Sequence, residues 1–259
     1  MTRPKPGSSP TSSAPAPLPM TWGAGEHVAL IGQTGSGKTT LARRILSVRR
    51  WVVVVKTKLD ASDPEVPVQA VSGTHRILDA LKYDRVELRP KFHEQSREIY
   101  RAYQKVFEQG GWTTYNDEEW YLEQRLRLTP AIEMLLTQGR AKRITMVMGA
   151  QRPVEISRFV LSQATHVISF GCEGRDVKTL ADATSPRVGV FVSALRDHEF
   201  IWWRRYDRAT WVGQLVSDAP DAKFEEVDVG SRFGYGGRDV GELPRTRVAA
   251  ELRAERTSG

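Results

Sequence analysis

Apolar residues in this chain fall into two kinds of run, and the two kinds alternate. Val28 to Ile31, Trp51 to Val55, Ile144 to Ala150 and Thr165 to Phe170 are short stretches with little polar alternation. Strands buried on both faces read this way, so they predict a parallel sheet covered by helices. Between them lie segments with apolar residues three and four apart. Thr40 to Val48 sets Leu41, Ile45 and Val48 on one face, and Ser96 to Gln109 does the same with Ile99, Tyr103, Val106 and Phe107 before Gly110-Gly111 ends it. Shorter helices are expected over Thr74 to Lys82, from Pro130 to about Gly139, around Ile156 to Leu161, and from Asp176 to Ala183, with a strand near a sheet edge at Asp84 to Leu88. Val188 to Leu195 and Glu199 to Arg205, separated by Arg196-Asp197-His198, read as an antiparallel hairpin. The fold class is therefore α/β, a mostly parallel sheet flanked by helices, with a C-terminal antiparallel hairpin. Residues 1–20 are rich in Pro and Ser and predict a disordered leader; 21–210 predict one domain. Residues 211–259 are charged and glycine-rich and predict a largely disordered tail.

The first strand and first helix are joined by Gly32-Gln33-Thr34-Gly35-Ser36-Gly37-Lys38-Thr39-Thr40. This is G-x-x-x-x-G-K-[ST] in the strand-to-helix setting that gives it meaning, a nucleotide-binding loop. Gly32, Gly35 and Gly37 let the backbone wrap an anion with its N–H groups turned inward. The helix that follows presents unpaired N–H groups and a partial positive charge to the same anion. Lys38 is placed to neutralise the β and γ phosphates, and the Thr39 hydroxyl to hold Mg²⁺.

A triphosphate and its metal need carboxylates, and Trp112 to Trp120 supplies the best candidates: a β-rich run ending in Asp117-Glu118-Glu119. Asp117 is the candidate metal ligand and Glu118 the residue that polarises the attacking water, with Glu119 taking that role if the register slips by one. The same acids would also suit the start of a helix running to Leu128. Gln151 ends the Ile144 strand, where a side-chain amide can reach a γ-phosphate or the water in line with it, a sensor role; a satisfied turn amide is the alternative. Lys56, Lys58 and Asp60 follow the second strand, on the rim where open α/β sheets bind ligands. His166, alone among apolar neighbours, reads as a hydrogen-bonded structural residue. Trp22 and His27 read as packing at the turn into the first strand.

Composition adds less. A net charge of +7 favours polyanionic partners. The single cysteine, Cys172, excludes an intramolecular disulfide and a cysteine-built zinc site, and suits a reducing compartment. No apolar run approaches bilayer length. The expectation is a soluble protein of the cytoplasm, host cytoplasm if its origin is viral or a mobile element.

Taken in order, the loop, the Asp-Glu pair and the strand-end glutamine resemble the FtsK/HerA family of P-loop ATPases. The segment Gly139-Arg140-Ala141-Lys142-Arg143 before the strand, and Gln151-Arg152-Pro153 after it, narrow the resemblance. It implies a RecA-like P-loop NTPase fold, ATP and Mg²⁺ as cofactors, assembly into a homo-oligomeric ring, usually a hexamer, and non-specific double-stranded DNA as partner. It also implies an arginine given to a neighbouring subunit's γ-phosphate, for which Arg140 is the candidate and Arg143 and Arg152 are rivals. Two other readings use the same loop: a slow nucleotide switch that acts through a partner, and a small-molecule kinase.

Overall fold

The computed structural model describes residues 22–58, 69–71, 85–215 and 224–226. Among them ten strands form one sheet in the order β10-β9-β8-β7-β1-β6-β5-β2-β4-β3. The strands are β1 (Val28–Ile31), β2 (Val52–Val55), β3 (Gln69–Val71), β4 (Arg85–Leu88), β5 (Thr113–Asn116), β6 (Thr145–Ala150), β7 (His166–Phe170), β8 (Glu199–Arg204), β9 (Thr210–Leu215) and β10 (Phe224–Glu226). From β3 to β7 neighbouring strands are parallel, and β8, β9 and β10 continue the sheet antiparallel.

Parallel strands leave room for helices on both faces, and the pleat sorts their side chains accordingly. Val28, Leu30, Val52, Val54, Val147 and Ile168 pack with Leu41, Ile45 and Leu46 of α1 (Lys38–Ser47). Ala29, Ile31, Val53, Val55, Met146, Met148 and Val167 face the opposite way. That side is covered by α2 (Gln95–Gln109), α3 (Thr129–Thr137), α4 (Arg158–Gln163), α5 (Arg175–Ala183) and α6 (Pro186–Val192). Both layers are continuous apolar clusters, so the parallel strands are held as a central slab.

One expected element is of the other kind. Val188 to Leu195 is not a strand: Ser185 caps a helix by accepting from the Val188 N–H, Pro186 occupies its first turn, and Val188, Phe191 and Val192 are buried at helical spacing. The antiparallel hairpin exists, shifted along the chain, as β8 and β9, with Trp202 opposite Trp211. The sheet therefore runs through Leu215 and on to β10, past the expected domain limit at 210. The leader, the helix expected over 74–82 and most of the tail lie outside the described residues.

His27 and His166 are structural, as expected. His27 Nδ1 accepts the Met146 N–H at 3.1 Å and Nε2 meets the Leu136 carbonyl at 3.0 Å. His166 Nδ1 accepts the Trp202 indole N–H at 3.1 Å, which leaves Nε2 to donate to Glu26 at 3.0 Å.

Candidate functional site

β1 lies between β6 and β7, so the loop that follows it emerges at the middle of the sheet's C-terminal edge. The loop turns on left-handed glycines, Gly35 (φ 83°) and Gly37 (φ 100°). At Gly32 a Cβ would stand 2.5 Å from Ser36 Oγ and 2.7 Å from the Phe170 ring, a closeness only glycine permits. Helix α1 begins at Lys38 with no side-chain cap and no acid in its first turn. Its leading N–H groups are thus turned toward whatever anion the loop encloses.

The residues expected to share this anion do converge. A cavity of about 400 Å³ is lined by Gln33, Thr34, Gly35, Gly37, Lys38, Thr39 and Thr40 of the loop, Asp117 and Glu118 after β5, and Gln151 after β6, with Lys56 to Lys58 closing one side. The β5–β6 pairing, Asn116 beside Met148, brings the two strand ends level. Gln151 Nε2 donates to Glu118 Oε1 at 3.0 Å, and Lys58 forms an ion pair with the same oxygen. The Tyr115 hydroxyl donates to Asp117 Oδ1 at 2.6 Å and fixes that carboxylate. Lys38 is buried; burial pushes its ammonium pKa down, against the attraction of Asp117 and Glu118.

Burial sets Glu118 and Glu119 apart. Glu119 is fully enclosed, accepts from Asn116 Nδ2 at 2.8 Å, and has its pKa pushed up to about 8 by that burial. It lies outside the cavity, while Glu118 faces Gln151. Asn116 in turn accepts the Tyr103 hydroxyl at 2.7 Å, so the polar residue in a buried strand is the middle link of a chain, Tyr103-Asn116-Glu119, that pairs Glu119 Oε2 and leaves its buried Oε1 without a partner.

Arg140 is not brought to this cavity. It precedes the other end of β6, roughly 20 Å of strand away, and its guanidinium donates to the Gln163 carbonyl at 2.7 Å and to Thr165 Oγ1 at 3.3 Å. Arg143 adopts a left-handed turn beside it. Arg152 lies at the site end, bonded to Asp176 Oδ2 at 2.9 Å, and lines a second cavity of about 830 Å³ on the outer side of the loop with Phe170, Arg196 and His198.

Two contributors escaped the sequence reading. A Cβ on Gly149 would stand 2.7 Å from the Asp117 carbonyl oxygen and 2.9 Å from that of Asn116, so this glycine lets β5 deliver its acids beside β6. His198 approaches the Ser36 carbonyl at 3.3 Å and lines both cavities. A lone glycine in a strand is the signal that marks the first; nothing in the sequence marks the second.

Thr39 and Asp117 both line the cavity and bring to it a hydroxyl and a carboxylate, donors suited to a small hard cation. Among the described residues no three His, Cys, Asp or Glu side chains converge to hold an ion unaided. An Mg²⁺ here would take most of its ligands from phosphate and water, which is its habit.

Residues 16–169, from ahead of the loop to β7, match the family described as ABC transporter. The DNA packaging ATPase P9 of Enterobacteria phage PRD1 is 26% identical over 154 residues, a match covering 54% of this chain and 61% of that protein, less than two thirds of its length. The genome packaging NTPase B204 of Sulfolobus turreted icosahedral virus 2, solved with AMP, shares the fold at a TM-score of 0.61 and 17% identity, over 72% of this chain and 96% of that one. VirB4 of Thermoanaerobacter pseudethanolicus shares it at 0.51 and 7% identity, over 80% and 90%.

Proposed function

The chain belongs to the ABC transporter family of P-loop ATPases by its nucleotide-binding core, and from that premise we propose an Mg²⁺-dependent ATPase that couples hydrolysis to movement of double-stranded DNA. The family match spans the phosphate loop, both acidic and glutamine strand ends and β7, so it concerns nucleotide chemistry and not a transported solute. The packaging relatives extend the FtsK/HerA resemblance of the sequence and supply the substrate class. The observation on which the hydrolytic reading rests is the contact of Glu118 with Gln151 in the cavity that holds Lys38.

In this reading the loop amides and Lys38 would hold the β and γ phosphates, and Thr39 and Asp117 would hold the metal, which would supply charge neutralisation there. Glu118 orients the attacking water and takes its proton, and Gln151 fixes Glu118 and reports the γ-phosphate. Lys58 competes with both for the Glu118 carboxylate. Arg140, remote from its own subunit's cavity, is available only to a neighbour, and a ring of subunits would require it to leave the Gln163 carbonyl. DNA would be held through its phosphates, without sequence preference.

The test is ATP hydrolysis with and without duplex DNA, for wild type, Lys38→Ala and Glu118→Gln. The reading expects stimulation by DNA and loss of turnover in both variants, by about 10²-fold or more for Glu118→Gln, with ATP binding kept in Glu118→Gln and lost in Lys38→Ala. A turnover indifferent to DNA would favour the partner-acting switch, and phosphate transfer to a metabolite the kinase.

A further inference from the structure

We propose that the surface formed by the start of α2 and the turn after β5 is the duplex-DNA contact of this chain, wired to the ATP cavity through Gln95 and through the residues following Glu118; this rests on the DNA-translocating reading above. Three large aromatic side chains stand out of the fold there: Phe92 is 78% exposed, Tyr100 44% and Trp120 39%. The elements that carry Tyr100 and Trp120 are bonded to each other, and Phe92 stands just ahead of the first of them. Ser96 Oγ donates to the Leu126 carbonyl at 2.9 Å, and the Tyr121 hydroxyl donates to Gln95 Oε1 at 3.0 Å.

Exposed charge on this surface is predominantly cationic, with Arg97 already paired to acids. Lys91, Arg97, Arg125 and Arg127 are exposed, whereas Glu98 and Glu123 are buried and Glu94 is half-buried. Arg97 is bonded to Glu94 and Glu98. Arg125 stacks its guanidinium over the Trp120 ring, 5.4 Å from the centroid, and Arg127 stands in a left-handed turn (φ 57°) just beyond. Exposed cations among exposed rings fit a phosphate backbone, with ring faces against its sugars.

Two connections run from here to the nucleotide. Gln95 Nε2 donates at 2.9 Å to the carbonyl of Thr57, which lines the ATP cavity, while its Oε1 accepts from Tyr121. The other is the chain itself. Glu118 faces the cavity, Glu119 is locked inside by Asn116, and Trp120 emerges on the surface. With Glu119 pinned as a fulcrum, a displacement of Glu118 is passed to Trp120. The single π turn at Tyr121–Arg125 follows directly, a local geometry that recurs at functional sites.

The experiment measures binding of the full chain to a fluorescent 30-base-pair duplex, as a function of salt, for wild type, Arg125→Glu, Arg127→Glu, Phe92→Ala and a control charge reversal remote from the surface, Arg175→Glu. Melting temperatures verify folding. The expected result is a loss of about tenfold or more in affinity for each arginine reversal, with the slope of log affinity against log salt smaller by about 0.9 for each phosphate contact removed, and little change for the control. Wild type that binds no duplex would remove the DNA reading itself. Wild type that binds while the surface variants bind equally well would leave that reading standing and overturn this surface. Loss of self-association at unchanged DNA affinity would overturn it in favour of a subunit contact, and preference for a single-stranded competitor would overturn the duplex assignment.

Discussion

His27 and Glu119 are both enclosed, and their titrations act on stability in opposite directions. Burial lowers His27 to about 4, with Arg140 adding to the effect. The unfolded state therefore binds the extra proton between pH 6.5 and 4, and the stability present above 6.5 is lost as pH falls through that window, in all about 3 kcal/mol. Burial raises Glu119 to about 8. Here the folded state keeps the proton longer, so stability is greatest below about 4.5 and declines as pH rises through 8. The Glu119→Gln substitution keeps an acceptor for Asn116 and removes the titration. It is expected to gain stability relative to wild type as pH is raised from 5 to 8, by denaturant midpoint, and to expose the acid-side loss due to His27. At the same scale, Gly149→Ala places a methyl group against the Asp117 and Asn116 carbonyls. It is expected to lower turnover by at least tenfold with a smaller change in ATP affinity, because the acids move while the loop stays; steady-state kinetics and nucleotide titration check the split.

Strand β5 shows how an element can be right in place and wrong in character. Its polar run, Thr113-Thr114-Tyr115-Asn116, reads as unsuited to a central position, yet all four residues are buried and β5 lies between β2 and β6. The sequence does not reveal that α2 brings the Tyr103 hydroxyl to Asn116, since that contact depends on how a helix crosses the sheet. Asn116→Leu, which supplies the aliphatic residue such a strand ordinarily has, is expected to destabilise by roughly 2–5 kcal/mol because Tyr103 and Glu119 lose their partner. Adding Tyr103→Phe should recover part of that loss, a coupling readable from chemical denaturation of the two singles and the double. The misplaced hairpin has a comparable origin. Val188, Val190, Phe191 and Val192 are strand-forming by type, and the deciding features were the Ser185 cap and Pro186 at the helix start. The glycine loop and its flanking strand and helix were plain from spacing alone. So were Gln151 and the Asp117-Glu118 pair as candidates, but their meeting in one cavity depends on β6 lying between β1 and β5, an order the sequence leaves open.

For the molecule as a whole, the antiparallel strands are part of the catalytic body. Leu215 and Phe200 pack in the same cluster as Leu41 of α1, and the Leu215 N–H donates to the His198 carbonyl at 3.0 Å. A chain ending at 210 removes β9 and uncovers Trp202, which is wholly buried and stacked on Trp211 at 4.3 Å. It is expected to be insoluble or to melt well below the full chain, whereas a chain ending at 226 should keep the wild-type melting temperature and bind ATP; thermal denaturation with and without nucleotide separates them. The reason lies in what β9 touches. At Gly37 the place of a Cβ lies 2.4 Å from the Leu215 methyl carbon Cδ1, so the last residue of β9 rests on the turn that cups the phosphates. A shift of β9 along the sheet would therefore reach that turn within the length of one side chain, so the far end of the fold and the grip on an anion are mechanically joined.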